Sequence, residues 1–208
     1  MSADEERKEE AAPREPIAFR LHEVAAELQA HNGLRPHTDY ERYRRYCTRR
    51  IRRLRRALKL TCGRKTFVAR PIDAENCEGA DHVLIVLLSA ERAWAYAMQV
   101  KRENTAQEPR PRFHLLQRLN KAAKWSVVLS KLCAERGDKR TALEAEAYSA
   151  FMRGNMHLER EQWKPALDQL KRSRTICTEL SRVSVAEQVH LYSQMVEEVE
   201  PSIRGGVT

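Results

Sequence analysis

Glycine, proline and aromatic residues are scarce in this chain of 208 residues, which has 7 glycines, 8 prolines and 6% aromatic residues. Turns between strands depend on glycine and proline, and strands themselves are rich in aromatic side chains. The composition therefore favours an all-helical fold over a β-sandwich. A hydrophobic content of 42% suffices for the core of one large domain or two small ones.

The cysteines lack the spacings of a metal site, because the five form no C-x-x-C pair and no histidine-paired metal spacing. Their number is odd, which argues against a disulfide framework. We expect reduced, mostly buried thiols and a cytosolic or nuclear protein. The cysteines are Cys47, Cys62, Cys77, Cys133 and Cys177.

Catalytic motifs are missing as well. The sequence has no G-x-x-x-x-G-K-[ST], no G-x-G-x-x-G, no H-E-x-x-H, and no serine or cysteine in a recognisable nucleophile setting. The seven histidines are scattered, and a scattered histidine is more often a surface or core residue than a ligand or a base. We predict that the protein is not an enzyme and uses no cofactor, metal or small-molecule substrate.

Long hydrophobic runs are also absent. The N-terminus is acidic and polar and has no signal-peptide segment. The apolar stretch over residues 82–90 is too short to span a bilayer, so we interpret it as the most buried part of a core helix. We expect no membrane insertion.

Acidic residues are absent between Glu41 and Asp73. Residues 42–72 hold thirteen lysines and arginines, so the rest of the chain has a formal charge of −4, although the whole chain has +9. The basic character is therefore local. A local excess of one charge indicates a binding site rather than general adhesiveness.

The first part of this basic stretch is predicted to be a helix over residues 38–60. Its apolar residues recur at the spacing of a helix with one buried face, and Thr38 with Glu41 forms a T-x-x-E capping box. The apolar stripe consists of Tyr40, Tyr43, Cys47, Ile51, Leu54 and Leu58. The predicted ligand-binding residues are Arg42, Arg44, Arg45, Arg49, Arg50, Arg52, Arg53, Arg55, Arg56 and Lys59.

A run of charge is usually a solvated face with internal ion pairs. Here most of the arginines meet only one another at i+3 and i+4, and each such pair costs about 0.2–0.5 kcal/mol, so a polyanion is the natural partner. Arginine pairs with phosphate and stacks on bases, which favours nucleic acid over an anionic membrane surface. The residue types distinguish DNA from RNA less clearly. Regular A-form RNA would need a groove widened by a bulge, loop or junction.

We expect a disordered acidic tail over residues 1–15, a single all-helical domain over 16–204, and a disordered end over 205–208, truncated from a longer protein. Within the domain, Glu91 is interpreted as a structural ion-pair partner for an arginine, and residues 60–79 as a loop. Helices are predicted over residues 16–31, 38–60, 80–103, 111–136, 141–161, 162–180 and 184–199, with Pro201 ending the last.

Tetratricopeptide-like packing is predicted for the hairpin that begins after Asp138. Its small and apolar residues have the spacing with which paired helices approach closely. They are Gly154, Ala166, Leu170 and Ser173. Capping boxes are predicted from Thr141 and Glu144 and from Ser184 and Glu187.

Two other basic segments are further candidates for ligand contacts. The 60–79 loop is basic in its first half, at Arg64, Lys65 and Arg70, and is either merely solvated or a second contact to the same anion, for which Arg64 and Lys65 are the candidates. Residues 101–124 hold seven basic and two acidic residues, which are either ordinary surface charge or an extension of the basic surface. The candidates there are Arg110, Arg112, Arg118, Lys121 and Lys124.

Five ordered segments carry a resemblance to a known family. They are DYERYRRYCTRRIRRLRRALKL, AERAWAYAMQVKRE, PRFHLLQRLNKAAKW, LEAEAYSAFMRG with QWKPAL, and VEEVEPSIR. In this order they resemble the N-terminal RNA-binding domain of the sixty-eight-kilodalton subunit of the eukaryotic signal recognition particle. The resemblance covers roughly residues 17–204, and the 60–79 loop matches the family only loosely.

The resemblance implies an all-helical, tetratricopeptide-like domain that binds the particle's RNA near its three-way junction, with an arginine-rich helix entering a distorted major groove. It implies no catalysis but a role in cotranslational targeting to the endoplasmic reticulum, a cytoplasmic location with nucleolar passage during assembly, and a monomeric domain. The seventy-two-kilodalton subunit would bind a C-terminal region that this sequence does not include. The alternative is a tetratricopeptide-like adaptor whose basic helix binds an acidic protein or a membrane surface.

Overall fold

The computed structural model describes residues 15–34, 38–63, 66–104, 106 and 108–205, without the side chain of Glu187. This part of the chain contains seven helices and no strand, which confirms the all-helical prediction. Its backbone forms one isolated bridge, between Ile17 and Gly137. The helices are α1 (Leu21–His31), α2 (Tyr40–Ala57), α3 (Ala80–Glu103), α4 (Pro109–Arg136), α5 (Lys139–Glu159), α6 (Trp163–Arg182) and α7 (Ala186–Gly205).

From α2 onward, each helix packs against the next one along the chain, so successive helices form stacked hairpins, while α1 contacts α5 and α7. The helix α3 lies between α2 and α4 and is mostly buried. It is also the one helix, among the residues described, that is long and apolar enough to cross a membrane, a test that core helices pass as well. Its buried side chains assign it to the core.

The hairpin of α5 and α6 depends on one glycine. A Cβ atom added at Gly154 would lie 2.5 Å from Cδ2 of Leu170, well inside van der Waals contact. Leu170 and the nearby Ala166 and Ser173 are buried. The close approach of paired helices predicted from the spacing of these residues is therefore confirmed.

Two predicted N-cap residues were wrong, by one and by three positions. Thr38 has a left-handed backbone with φ of +52°, and the cap of α2 is Asp39, whose carboxylate accepts a hydrogen bond from Arg42 N at 2.9 Å. In the same way, Asp138 rather than Thr141 caps α5, since its carboxylate accepts from Thr141 N at 2.7 Å. Aspartate is a strong N-cap, and each aspartate lies immediately before the first helical residue.

Thr141 and Glu144, predicted to cap α5, instead hold the N-terminal segment. The Thr141 hydroxyl accepts from Phe19 N at 2.8 Å and donates to Phe19 O at 3.0 Å, and Glu144 accepts from His22 N at 3.2 Å. Because Ile17 exchanges backbone hydrogen bonds with Arg136 and residue 138, residues 16–20 are not helical, and α1 begins later than predicted.

The C-terminal helix α7 also differs from the prediction. Pro201 does not end it, although proline removes one backbone hydrogen bond. The helix continues to Gly205 because Ile203 is buried beside Val199 and Leu170. The hydroxyl of Ser184 donates to Leu180 O at 2.6 Å, at the end of α6. The side chain of its predicted partner Glu187 lies outside the described residues. Of the ends predicted to be disordered, over 1–15 and 205–208, residues 1–14 and 206–208 also lie outside them, whereas Gly205 is the last residue of α7.

Candidate nucleic-acid interface

One side of α2 is anchored in the core. Tyr43 and Cys47 are fully buried, and Ile51 and Leu54 are each 6% exposed, so the predicted apolar stripe is confirmed. Complete burial of a side chain such as isoleucine or leucine contributes about 1.5–3 kcal/mol. These residues fix which face of the helix points outward.

A buried polar cluster strengthens this anchor. The hydroxyls of Tyr43 and Tyr148 donate to the two carboxylate oxygens of Glu91 at 2.8 and 2.6 Å, and the Gln29 amide donates at 2.9 Å. Burial, together with the nearby Glu91 carboxylate, raises the pKa of both tyrosines, which keeps them protonated as donors. The prediction that Glu91 pairs with an arginine was wrong, because these neutral groups satisfy its carboxylate.

The outward side of α2 carries arginines without counter-charges. Arg49, Arg52, Arg53 and Arg56 are exposed, and none of them has a hydrogen bond or ion pair with another described residue. In the part of this helix that the structure describes, the one ion pair joins Arg45 to Glu41 at 2.5 Å. The outward face therefore has donors and positive charge available for a ligand.

Three of the predicted arginines are partly buried instead, as expected from their place near the apolar edge. The Arg55 guanidinium donates to the carbonyls of Leu60 and Arg70 at 3.2 and 3.3 Å, so it holds two residues of the 60–79 loop against α2. Arg44 donates to Gln99 at 3.1 Å. Arg50, also partly buried, has no hydrogen bond to another described residue.

The remaining predicted residues lie at the two ends of α2. Arg42 is exposed near the N-terminus, where its side chain lies against Gly33. Lys59 is exposed just past the C-terminus, and its carbonyl accepts a hydrogen bond from Arg70 at 2.8 Å.

The candidates on α4 divide into three groups. Arg112 is engaged in an exposed ion pair with Glu161 at 2.5 Å. Arg118 and Lys121 line a cleft together with Arg44 of α2, whereas Arg110 and Lys124 are exposed elsewhere on α4. The loop candidates, Arg64 and Lys65, lie outside the described residues.

Sequence reasoning missed Arg92 and Tyr96 of α3, which line the same cleft. The guanidinium groups of Arg44 and Arg118 lie 4.7 and 4.5 Å from the centre of the Tyr96 ring. The sequence did contain a signal for Arg92. This arginine follows the buried Glu91, on a helix that has a basic helix before it and another after it in the chain.

The arrangement suits anion binding and offers no support for metal chemistry. Guanidinium groups can pair bidentately with phosphate and stack on bases. Among the residues described, no three histidine, cysteine or acidic side chains lie close enough to hold a metal ion. All five cysteines are free thiols, four of them buried, as predicted.

A family described as RNA-binding signal recognition particle 68 (SRP68) matches residues 35–205. The chain belongs to this family. It is 41% identical over 213 residues to the signal recognition particle subunit SRP68 of Drosophila melanogaster, a match that covers 98% of this chain and 35% of that protein. The SRP68 of Dictyostelium discoideum is 34% identical over 201 residues, which cover 94% of this chain and 33% of that protein.

A solved structure agrees with this assignment. The SRP68-RBD from Chaetomium thermophilum superimposes with a TM-score of 0.76 at 26% identity, covering 91% of this chain and 97% of that one. The chain spans about a third of the length of the curated SRP68 relatives. The SRP68 family is one of RNA-binding particle subunits rather than of enzymes, in agreement with the sequence prediction.

Proposed function

We propose that this chain binds signal recognition particle RNA near the three-way junction, with α2 lying in a distorted major groove. The observation that carries the proposal is the outward face of α2, where Arg49, Arg52, Arg53 and Arg56 are exposed and lack counter-charges. An unpaired arginine row costs stability in the free protein, and a phosphate backbone removes that cost.

The width of the arginine face supports a groove rather than a flat phosphate surface. At 100° per residue, Arg49, Arg52, Arg53 and Arg56 spread over about 100° of the helix circumference. With its side chains an α-helix is about 10–12 Å across, and the major groove of regular A-form RNA is too narrow to admit it. A junction or loop opens this groove, so the proposed target is a distorted RNA.

We infer a wider role for the protein from its membership in the signal recognition particle family. The protein takes part in cotranslational targeting to the endoplasmic reticulum, in the cytoplasm, with nucleolar passage during particle assembly. We further propose that the full-length family protein binds the seventy-two-kilodalton subunit and that this domain is monomeric when free.

The test replaces Arg49, Arg52 and Arg56 together with glutamine and measures RNA affinity by anisotropy and stability by thermal unfolding. We expect RNA binding to fall by more than about a hundredfold while the melting temperature stays the same or rises. The matched control replaces Arg172, Arg174 and Arg182 of α6 with glutamine. This removes the same charge from a different helix and should leave RNA affinity nearly unchanged. Unfolding of the α2 variant would show instead that these arginines are structural.

A competition experiment separates RNA from other anions. A three-way-junction RNA should bind more tightly than a continuous duplex of equal length or an acidic peptide of equal charge. If about six to ten phosphates are contacted, affinity should fall about 10³- to 10⁵-fold between 50 and 200 mM salt. Equal binding of all three ligands would favour the adaptor function, and a weak salt dependence would contradict the proposal.

A further inference from the structure

A cleft outside the outward face of α2 concentrates positive charge. It lies where α2, α3 and α4 meet, and no carboxylate lines it. Its lining includes three arginines and a lysine from three different helices: Arg44, Arg92, Arg118 and Lys121. Their convergence results from helix packing and is not visible in any single stretch of the sequence.

Tyr96 brings two of these charges together. Because Arg44 and Arg118 lie 4.7 and 4.5 Å from the centre of the same ring, their guanidinium carbons are no further apart than the sum of these distances. The ring face attracts each cation, but it carries no net charge and cannot neutralise them. Arg44 also donates to the neutral amide oxygen of Gln99, so it keeps its positive charge unbalanced.

Arg92 is on α3, which packs between α2 with Arg44 and α4 with Arg118. Its side chain is partly buried. No described residue accepts a hydrogen bond from it. Burial is the main cause that lowers its pKa. The positive charges of Arg55, Arg118 and Arg52 lower the pKa further. The adjacent Glu91 forms no ion pair with Arg92, since its carboxylate points to the tyrosine and glutamine donors instead. A partly buried cation surrounded by like charges needs an anion from outside.

We propose that the cleft binds a single phosphate group through Arg44, Arg92 and Arg118, and that in the assembled particle this group is a backbone phosphate of the RNA bound to α2. The inference rests on the proposed function, which it extends from α2 to α3 and α4. Three guanidinium groups around one site match the several acceptor oxygens and the charge of a phosphate. Thr48 of α2 lines the cleft and Arg52 lies one helical turn further along, so the cleft borders the arginine face.

The first experiment measures RNA affinity and its salt dependence for Arg92→Gln and, separately, Arg118→Gln. We expect each variant to weaken binding at least about fivefold, to reduce the salt slope by about one, and to unfold at the same or a higher temperature. Arg174→Gln is the matched control, because Arg174 is also partly buried but pairs with Glu200 at 3.2 Å. It should bind RNA like the unmodified protein.

A second arm distinguishes RNA phosphate from a free anion. Inorganic phosphate is titrated while the Nε–Hε NMR signal of Arg92 is followed, in the free protein and in the RNA complex. Phosphate should shift the signal of the free protein only. If it shifts the signal equally in the RNA complex, the cleft holds a free anion and the RNA contact is wrong. The absence of a shift in both would contradict a phosphate site altogether.

The outcomes also separate this inference from the function of α2. If replacement of Arg49, Arg52 and Arg56 abolishes RNA binding while Arg92→Gln and Arg118→Gln bind normally, only the cleft is refuted. If the α2 variant binds RNA normally, the proposed function itself fails.

Discussion

Arginines lie in two different electrostatic environments in two regions of this molecule. In α5–α7, five arginines each lie within 3.3 Å of a carboxylate oxygen. In α2, the exposed arginines from Arg49 to Arg56 have no such partner among the described residues. The paired arginines are Arg140, Arg172, Arg174, Arg182 and Arg204.

The difference shows that charge alone does not mark a binding site. An arginine with a carboxylate partner is already satisfied by the folded protein, and its loss should affect mainly stability. An arginine surrounded by like charges gains little from the fold, so its loss should affect mainly ligand binding. Each prediction below tests whether a residue belongs to one class or the other.

The largest effect is expected for Arg140→Met. Arg140 donates to Glu144 at 3.1 Å and to Tyr192 at 2.9 Å, and Glu144 is almost completely buried. Without Arg140, the carboxylate loses its counter-charge in the core, which should lower the free energy of unfolding by about 2–4 kcal/mol. Urea unfolding measures this. Arg182→Met, which breaks an exposed pair, should cost less than about 1 kcal/mol, and equal losses for the two variants would contradict the distinction.

The next largest effect on stability is expected from acid, because of the buried His22. Burial lowers the pKa of His22 to about 4, and the Glu144 carboxylate only partly opposes this. Between about pH 6.5 and 4 the unfolded chain therefore binds a proton that the folded chain does not, so stability falls as pH falls.

The measurement compares urea unfolding at pH 7 and 4.5. The protonation of His22 should account for about 2–3 kcal/mol of the loss at pH 4.5, and His22→Phe should lose correspondingly less stability between the two pH values. Replacing the exposed His190 with phenylalanine is the control and should leave the pH dependence unchanged. A His22→Phe variant with the full acid sensitivity would show that other groups cause it.

A smaller loss is expected for Tyr43→Phe, which tests the anchor of α2 apart from its arginines. Glu91 would keep the donors Tyr148 and Gln29 but lose one hydrogen bond, so stability should fall by about 1–2 kcal/mol. RNA affinity of the folded variant should change little. Tyr46→Phe is the control, since the Tyr46 hydroxyl donates to no described residue. A strong loss of RNA affinity in folded Tyr43→Phe would mean that the anchor also shapes the interface.

The helices and the two faces of α2 were predictable, because both depend on local spacing. The apolar stripe gave the buried side, and the lack of acids after Glu41 gave the unpaired arginines. The roles of Thr141, Glu91 and Arg92 were not predictable from spacing. Thr141 bonds to a segment 122 residues away in the chain, and the surroundings of Glu91 and Arg92 are formed by helices distant in sequence.

The smallest change in stability, and an increase rather than a loss, is expected for Arg49→Glu, which turns unpaired arginines into paired ones. A glutamate at this position lies four residues before Arg53, three before Arg52 and four after Arg45. Helical pairs at these separations contribute about 0.2–0.5 kcal/mol each, so thermal unfolding should show a gain of about 0.6–1.5 kcal/mol for the three pairs.

The comparison variant is Arg49→Gln, which relieves repulsion without adding pairs and should therefore stabilise less than Arg49→Glu. RNA affinity should change in the opposite order, with the glutamate variant weaker than the glutamine variant, because a carboxylate repels the phosphate backbone. A gain in stability joined to a loss of binding is what distinguishes an arginine kept for a ligand. If both variants unfold more easily, Arg49 belongs instead with the paired arginines of α5–α7, and the contrast between the two regions does not hold.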